Sequence, residues 1–466
     1  MDRLPWSRFH WTILIALGVT WILDGLEVTL KGAVSSVLQD PQSLGFTSTQ
    51  IGMIASFYLA GAVTGSLVFG YLTDRYGRRV FFFVTLGVYL IGAVLTAFSW
   101  SLWSFILFRF ITGLGIGGEY AAINSTIDEM MPARVRGQVA LVVNGSYWLG
   151  AALGALSTVV LLDPDVFAVD FGWRLGFGIG AVLGLFILFM RRHIPESPRW
   201  LITHDRRDDA EADIERIEAR VARETGETLE DVPPERRITI HPKPHFGFGM
   251  ILKSMFGVHL KRSVLALVLM ASQAFLYNAI FFTYALILSN FYDVPSSDVG
   301  LYLVPFAIGN FLGVLLLGRL FDTLGRRFMI SATYIVSGLL LGATGYMFAQ
   351  GLLSAVTLTA LWSVIFFFAS AAASSAYLTV SEVFPLETRA LAIAVFYSVG
   401  TAAGGIAAPS LFGALIDTGS PWTVFYGYLA ASALMLGAAG VEIVIGVDAE
   451  RQSLEDVAAP LSASAE

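Results

Sequence analysis

The chain has 466 residues, of which 56% are hydrophobic and only 14% charged, with a net charge of −7. Its mean hydropathy is +0.69, whereas a soluble globular protein carries about a quarter charged residues, so a water-soluble enzyme and a nucleic-acid-binding domain are both excluded for the bulk of the chain. Cysteine is absent, which removes a disulfide framework, a thiol nucleophile and a Cys-based metal site.

Taken in chain order, the apolar runs predict twelve spans at about 11–37, 50–72, 80–98, 102–128, 138–161, 173–191, 263–289, 297–320, 328–348, 352–378, 390–416 and 422–446. A bilayer crossing takes roughly 18–25 such residues. The first span is too long for a cleaved signal and has acids in its middle. Those acids, Asp24 and Glu27, stand with Lys31 and Thr20 on one helical face. The second span runs into Gly70-Tyr-Leu-Thr-Asp74-Arg75-Tyr-Gly77-Arg78-Arg79, where glycine permits a tight turn between antiparallel helices. The fourth carries Arg109 and Glu119 and closes on Glu129-Met-Met-Pro132-Ala-Arg-Val-Arg136.

Residues 192–262 are too polar to span. Within them, 205–224 is a charge-rich helix with Ile214, Ile217 and Val221 on one stripe. Pro233 and Pro234 stop it, and 246–260 reads as an apolar piece lying along the membrane surface. Beyond this break the first half's loops return. Gly318-Arg-Leu-Phe-Asp322-Thr-Leu-Gly325-Arg326-Arg327 follows the first loop by 248 residues, and Glu382-Val-Phe-Pro385-Leu-Glu-Thr-Arg389 follows the second by 253. The tail from Asp448 is acidic and rich in Ala and Ser, and is expected to be disordered.

These observations predict an all-α membrane protein of twelve transmembrane helices in two pseudo-symmetric six-helix bundles, 1–191 and 263–447. A cytoplasmic loop with amphipathic helices, 192–262, joins them, and 448–466 forms a cytoplasmic tail. With both termini inside, the cytoplasmic connections hold Arg75, Arg78, Arg79, Arg134, Arg136, Arg191, Arg192, Arg326, Arg327 and Arg389, and the outer loops hold acids such as Asp163, Asp165, Asp170, Asp293 and Asp417. This is the positive-inside pattern of a plasma-membrane protein. Repeats in a polytopic chain place a binding site between the halves. The recurring Asp74, Arg78, Glu129 and Arg136, with Asp322, Arg326, Glu382 and Arg389, read as charges that hold the inner side shut. Plain anchoring of the loops is the alternative. Exposed pairs of this kind are each worth about 0–1 kcal/mol.

The repeated loop resembles the hallmark of the major facilitator superfamily, and Pro195-Glu196-Ser197-Pro198-Arg199-Trp200-Leu201 resembles the signature of its sugar porter branch, as does Tyr377 with Glu382-x-x-Pro385-x-x-x-Arg389. The resemblance implies transport by alternating access.

An ionised side chain at the bilayer centre costs about 2.5–3.5 kcal/mol on the lenient scale, so the intramembrane charges must face water or one another. A rise of about 1.5 Å per residue puts Glu27 about 24 Å and Arg109 about 27 Å from the inner ends of their helices, level enough to pair. A static ion pair and a proton site controlled by the arginine both fit. The resemblance favours the second: Gly25-Leu26-Glu27 matches the Gly-Tyr-Asp of proton-coupled sugar porters, and Asp24-Gly25-Leu26-Glu27 is similar to the Asp-Gly-x-Asp of aromatic-acid:proton symporters. The stretch Arg109-Phe-Ile-Thr-Gly113-Leu-Gly115-Ile-Gly117-Gly118 resembles the fourth helix of both, and Glu119 follows it as in several metabolite:proton symporters. The glycines read as close helix packing.

The same comparison places Asn144, Trp148, Gln273, Tyr277, Asn278 and Tyr377 around the solute. Here the match to sugar porters thins: Ser272-Gln273-Ala274-Phe275-Leu276-Tyr277-Asn278, then Phe282-Thr283, lacks one amide, the glycine and both tyrosines of the usual seventh helix. Gln273 and Asn278 point about 140° apart on an unbroken helix, so both reach a ligand only where the helix unwinds. The expected function is proton-coupled symport of a small organic solute, a carboxylic acid first and a sugar or polyol second. No cofactor is expected, the proton gradient being the energy source. The partners are the solute, protons and the bilayer, and the chain is expected to be a monomer. A passive uniporter and a non-transporting sensor are the alternatives. No nucleophile triad, HExxH or phosphate loop suggests an enzyme.

Overall fold

The computed structural model describes residues 1–38, 40–46, 48–162, 166–191, 196–227, 229, 249, 253–281, 284–294 and 299–461. Helices occupy all twelve expected spans: Arg8–Leu38, Ser48–Tyr76, Arg78–Ala97, Leu102–Met130, Arg136–Gly145 with Tyr147–Leu161, Val169–Arg191, Leu260–Phe281 with Tyr284–Tyr292, Val299–Thr323, Arg326–Ala349, Ala355–Val383, Arg389–Asp417 and Pro421–Ile445. Among the described residues, nine are long and apolar enough to cross a membrane.

The fifth span differs from expectation by a break at Ser146. The Ser146 hydroxyl turns back to the Val143 carbonyl and also reaches the Gly18 carbonyl of the first span, at 2.6 and 2.9 Å. A side chain that competes for backbone carbonyls loosens a helix at that point.

Within the first half, the second and fourth spans pack together, as do the first and fifth. In the second half the eighth and tenth pair in the same way, as do the seventh and eleventh. The halves meet where the second span lies on the eleventh and the eighth on the fifth. Glycine makes the tight crossings possible. A Cβ at Gly113 or Gly117 would collide with the Tyr58 or Ala62 carbonyl, one at Gly61 or Gly65 with the Phe110 or Leu114 carbonyl, and one at Gly150 with that of Ile22. Small residues let backbones approach in this manner where no hydrophobic force separates protein from lipid.

Both repeated loops turn on a glycine of positive φ, Gly77 at 103° and Gly325 at 108°, each one residue before the next span. L-residues rarely adopt this conformation. At the end of the bundle away from the chain termini, Phe98, Trp100, Trp103, Trp422 and Tyr426 are exposed, as aromatic rings are at a membrane interface.

The polar middle segment forms helices Pro198–Thr203 and Arg207–Thr225 on the face that carries both termini. Ile217 and Val221 are buried there, and Arg3 pairs with Glu218 at 2.6 Å. Of the apolar piece at 246–260, residues 254–258 form a π-helical turn with Phe256 and Val258 exposed and Met255 buried. The tail differs from its expected disorder. Residues 448–461 fold back over the bundle, with a short helix at Leu454–Val457 and with Leu454 and Val457 buried. Composition predicted disorder because it counts few apolar residues, but these few have a ready-made surface to cover.

Gly150→Ala should lower the melting temperature of the detergent-solubilised protein, since overpacking costs about 1–3 kcal/mol. The same change at Gly440, which has open space around it, should not. Equal melting curves for the two variants would refute the close-packing role.

Candidate functional site

The first and fourth spans bring the intramembrane charges together. Arg109 forms an ion pair with Glu27, and both are buried, at 0% and 3% exposure. The guanidinium also lies 4.5 Å from the centre of the Tyr58 ring and 5.5 Å from that of Phe177. An arginine flanked by rings loses less on leaving water than a bare charge would. The level estimated from helical rise thus corresponds to a direct contact.

One turn along the same helix, Asp24 accepts a 2.9 Å hydrogen bond from the Tyr120 hydroxyl. Tyr120 is stacked on Tyr397 of the eleventh span at 4.5 Å and on Tyr377 of the tenth at 6.2 Å, and it meets Trp21 edge-on at 4.6 Å. Beside these rings is a cavity of ≈ 10 Å³, about one water in size, lined by Thr20, Trp21, Asp24, Ile116, Glu119, Tyr120 and Ile123.

The expected solute contacts divide. Tyr377 stands at the ring cluster. Trp148 stacks on Tyr277 at 5.7 Å, and Tyr277 donates to Asn310 at 2.7 Å, forming a second aromatic group between the halves. Three of the amides turn inward on the protein. Asn144 donates to Asn124 at 3.0 Å and to the Ala140 carbonyl at 2.9 Å. Asn278 donates to the Ala274 carbonyl at 2.7 Å, and Gln273 lies 4.0 Å from the Met270 sulfur. The seventh span stays helical from Leu260 to Phe281, so the unwinding that would aim both Gln273 and Asn278 at one ligand is not present. Phe282 and Thr283 lie outside the described residues, as does the Lys31 side chain.

Trp21, Ile116, Ile123 and Tyr397 were not singled out from the sequence. Trp21 and Asp24 stand three apart on one helical face, a spacing that had already grouped Asp24 with Glu27.

On the face bearing the termini, the repeated charges cross between the halves. Glu129 stands 3.6 Å from Arg389, and Arg136 stands 3.7 Å from Glu382. Glu382 also takes two 3.0 Å bonds from Arg326, which pairs with Asp322 at 2.8 Å. Asp322 accepts from the Gly137 and Gln138 amides at 3.1 and 2.7 Å, and Asp74 accepts from the Leu391 amide at 2.9 Å. The Arg78 side chain lies outside the described residues.

These groups are all buried, which corrects the surface-like energies expected for them. Removing one partner of a buried pair strands the other and costs about 3–5 kcal/mol.

The tail completes the layer. Glu450 accepts from the Arg326 amide at 3.2 Å, as Glu196 accepts from the Arg79 amide at 3.2 Å. Arg199 binds Glu455 at 2.6 Å and Asp2 at 2.9 Å. Burial alone would raise the Glu455 carboxyl, but the Arg199 charge and hydrogen bond outweigh it and hold it down to about 2. This contribution to docking is complete above the ordinary value of 4.5 and is lost as pH falls toward 2. The signal lay in the sequence: Glu450 and Ser453 follow the twelfth span as Glu196 and Ser197 follow the sixth.

The fold and these paired sites define a two-fold type of membrane transporter. The family described as "Sugar (and other) transporter" matches residues 18–446, and the chain belongs to it, within the major facilitator superfamily. It is therefore a multi-pass membrane transporter, not an enzyme. It is similar to the niacin transporter NiaP of Acinetobacter baylyi, 26% identical over 98% of each chain. It is also similar to the 4-hydroxybenzoate transporter PcaK of the same species, 27% identical over 55% of this chain and 54% of that one. Among solved structures, the proton:xylose symporter XylE bound to 6-bromo-6-deoxy-D-glucose superposes with a TM-score of 0.79 at 18% identity, covering 97% of this chain and 98% of its own.

Glu382→Gln should loosen the terminal face, because it removes the charge that Arg326 and Arg136 share. Hydrogen exchange at residues 386–391 should accelerate, more so with Glu129→Gln added. Unchanged exchange in the double variant would count against a closing role.

Proposed function

We propose that the protein is a proton-coupled symporter of a small aromatic carboxylic acid, working by alternating access in a plasma membrane. The observation that carries this reading is the buried Arg109–Glu27 pair one helical turn from Asp24, whose side chain lines a cavity against aromatic rings from both halves. A guanidinium beside a carboxyl favours its ionised form, and burial favours the neutral one. A helix movement that parts Arg109 from Glu27 draws a proton in, and the return movement expels it. Glu27 is the carrier in this scheme, with Asp24 and Glu119 beside it.

An aromatic solute is favoured over a sugar because a hexose needs several free amides around its hydroxyls. Here Asn144 and Asn278 are bonded within the protein. The names of the similar niacin and 4-hydroxybenzoate transporters support the same class.

The face with both termini is assigned to the cytoplasm by its arginines. The natural chain has no cysteine, so single cysteines at Asp209 and Gln350 should label with an impermeant maleimide from opposite sides of the membrane. Labelling of both from outside would refute the topology, and labelling of Asp209 alone from outside would reverse it.

In proteoliposomes, radiolabelled benzoate or nicotinate should accumulate when the outside is acidic, and xylose should not. Glu27→Gln fixes a neutral side chain; it should still exchange solute across the membrane but should not concentrate it. Full pH-driven accumulation by that variant would move coupling to another group, and no response of the natural protein to the gradient would make it a uniporter.

A further inference from the structure

A carboxylate-bearing solute faces an electrostatic difficulty in this cavity. The ionisable groups around Asp24 are Glu27 on its own helix, Tyr58 on the second span, Tyr89 on the third, Arg109, Glu119 and Tyr120 on the fourth, Tyr147 on the fifth, Tyr377 on the tenth and Tyr397 on the eleventh. Arg109 is the basic member of that set, and it is engaged by Glu27. A bare carboxylate would meet Asp24 and Glu119 as like charges, and like charges in one site do not all ionise.

Two buried polar atoms at the cavity lack a hydrogen-bond partner among the described residues: Trp21 Nε1 and Asp24 Oδ1. The first only donates, and the second, when ionised, only accepts. Their side chains are 5% and 7% exposed, and three residues' spacing puts them side by side on one helical face. A buried polar atom left unpaired is costly. The other Asp24 oxygen is held by Tyr120, whose ring is stacked in turn on Tyr397. The vacant donor and acceptor are thus fixed beside a flat aromatic wall, with Ile116 and Ile123 completing the lining.

We infer that, when the halves part and this one-water cavity widens, the seat takes the neutral head group of an aromatic solute, one that offers a carbonyl to Trp21 Nε1 and an O–H or N–H to Asp24 Oδ1. Two head groups have that pattern, a protonated carboxyl and a primary carboxamide. The inference rests on the aromatic-symporter reading and adds where the proton lies. An acid arrives as a carboxylate and takes up one proton from solution. The proton then lies between the solute carboxyl and the Asp24 carboxylate, so the two acids together carry one negative charge. A carboxamide takes the same seat with no proton uptake.

The test is equilibrium binding to the purified full-length chain, with labelled benzoate as probe and benzamide and methyl benzoate as competitors, from about pH 5.5 to about pH 8, where free benzoate is already ionised. Above the pH at which Asp24 ionises in the free protein, benzoate affinity should weaken about tenfold per pH unit, the signature of one linked proton. Competition by benzamide should stay flat, and methyl benzoate, which has no donor for Asp24, should compete about tenfold more weakly than benzamide. Asp24→Asn keeps an acceptor for Tyr120 and supplies its own N–H to a carboxylate. In that variant the pH slope for benzoate should vanish.

A slope retained in Asp24→Asn, an equal slope for benzamide, or no binding by either probe would overturn the inference. Accumulation separates it from the parent reading. pH-driven accumulation of benzoate in proteoliposomes together with no pH slope in benzoate binding would leave symport standing and remove this seat.

Discussion

A full charge cannot sit alone in the middle of an apolar bundle, and the Arg109–Glu27 pair shows how the fold meets that constraint. The two side chains come from different helices, so neither has its partner until the first and fourth spans are assembled. Each would be costly to bury by itself. Once they meet, the pair fixes which faces of the two helices look inward, and Tyr58 and Phe177 close around the guanidinium. The glycines of the fourth span hold the second against it, since Gly113 and Gly117 lie against the Tyr58 and Ala62 carbonyls, and this brings the Tyr58 ring to the guanidinium. Charge and packing here are one arrangement: without the glycines Tyr58 stands too far from Arg109, and without the pair the close-packed faces would enclose an unpaired ion.

The opposite solution is used at the face bearing the termini. Charges there cross between the two halves as well as pairing within one, and each half supplies both signs. Glu129 and Arg136 meet Arg389 and Glu382, related positions of the repeat. The duplication extends past the last spans, where Glu196 and Glu450 each cap the helix that follows a glycine turn, and Arg199 meets Glu455. A layer built from duplicated contacts closes as a unit. Its groups are buried only while the halves are in register, so parting the halves returns many charges to water together. That all-or-none character suits a gate better than a set of independent surface pairs would.

The twelve spans, the polar break, the repeat and the family could all be read from the sequence, because each depends on a local property: runs of apolar residues long enough for a bilayer, or a motif of fixed spacing. So could the identity of the charged residues, since an acid or arginine inside an apolar run is conspicuous wherever it points. What helical rise could say was that Glu27 and Arg109 lie at one level. It could not say that they touch, which depends on the rotation of two helices about their own axes.

Rotation and neighbours are what only the tertiary structure decided. Asn144 and Asn278 matched a sugar-binding pattern by count, yet each spends its amide on the protein, because Asn144 meets Asn124 of the fourth span and both lie within unbroken helix that offers the carbonyl four residues back. Trp21 was one more apolar residue in an apolar run until Tyr120 was placed edge-on against it, with Tyr377 and Tyr397 from two other spans stacked on Tyr120. The tail read as disordered because its composition supplies few apolar groups, and it is ordered because Arg199, Arg326 and the bundle's end supply the partners its own residues lack. Local sequence fixes what a segment is able to bury; which partner receives it is a property of helices far apart in the chain.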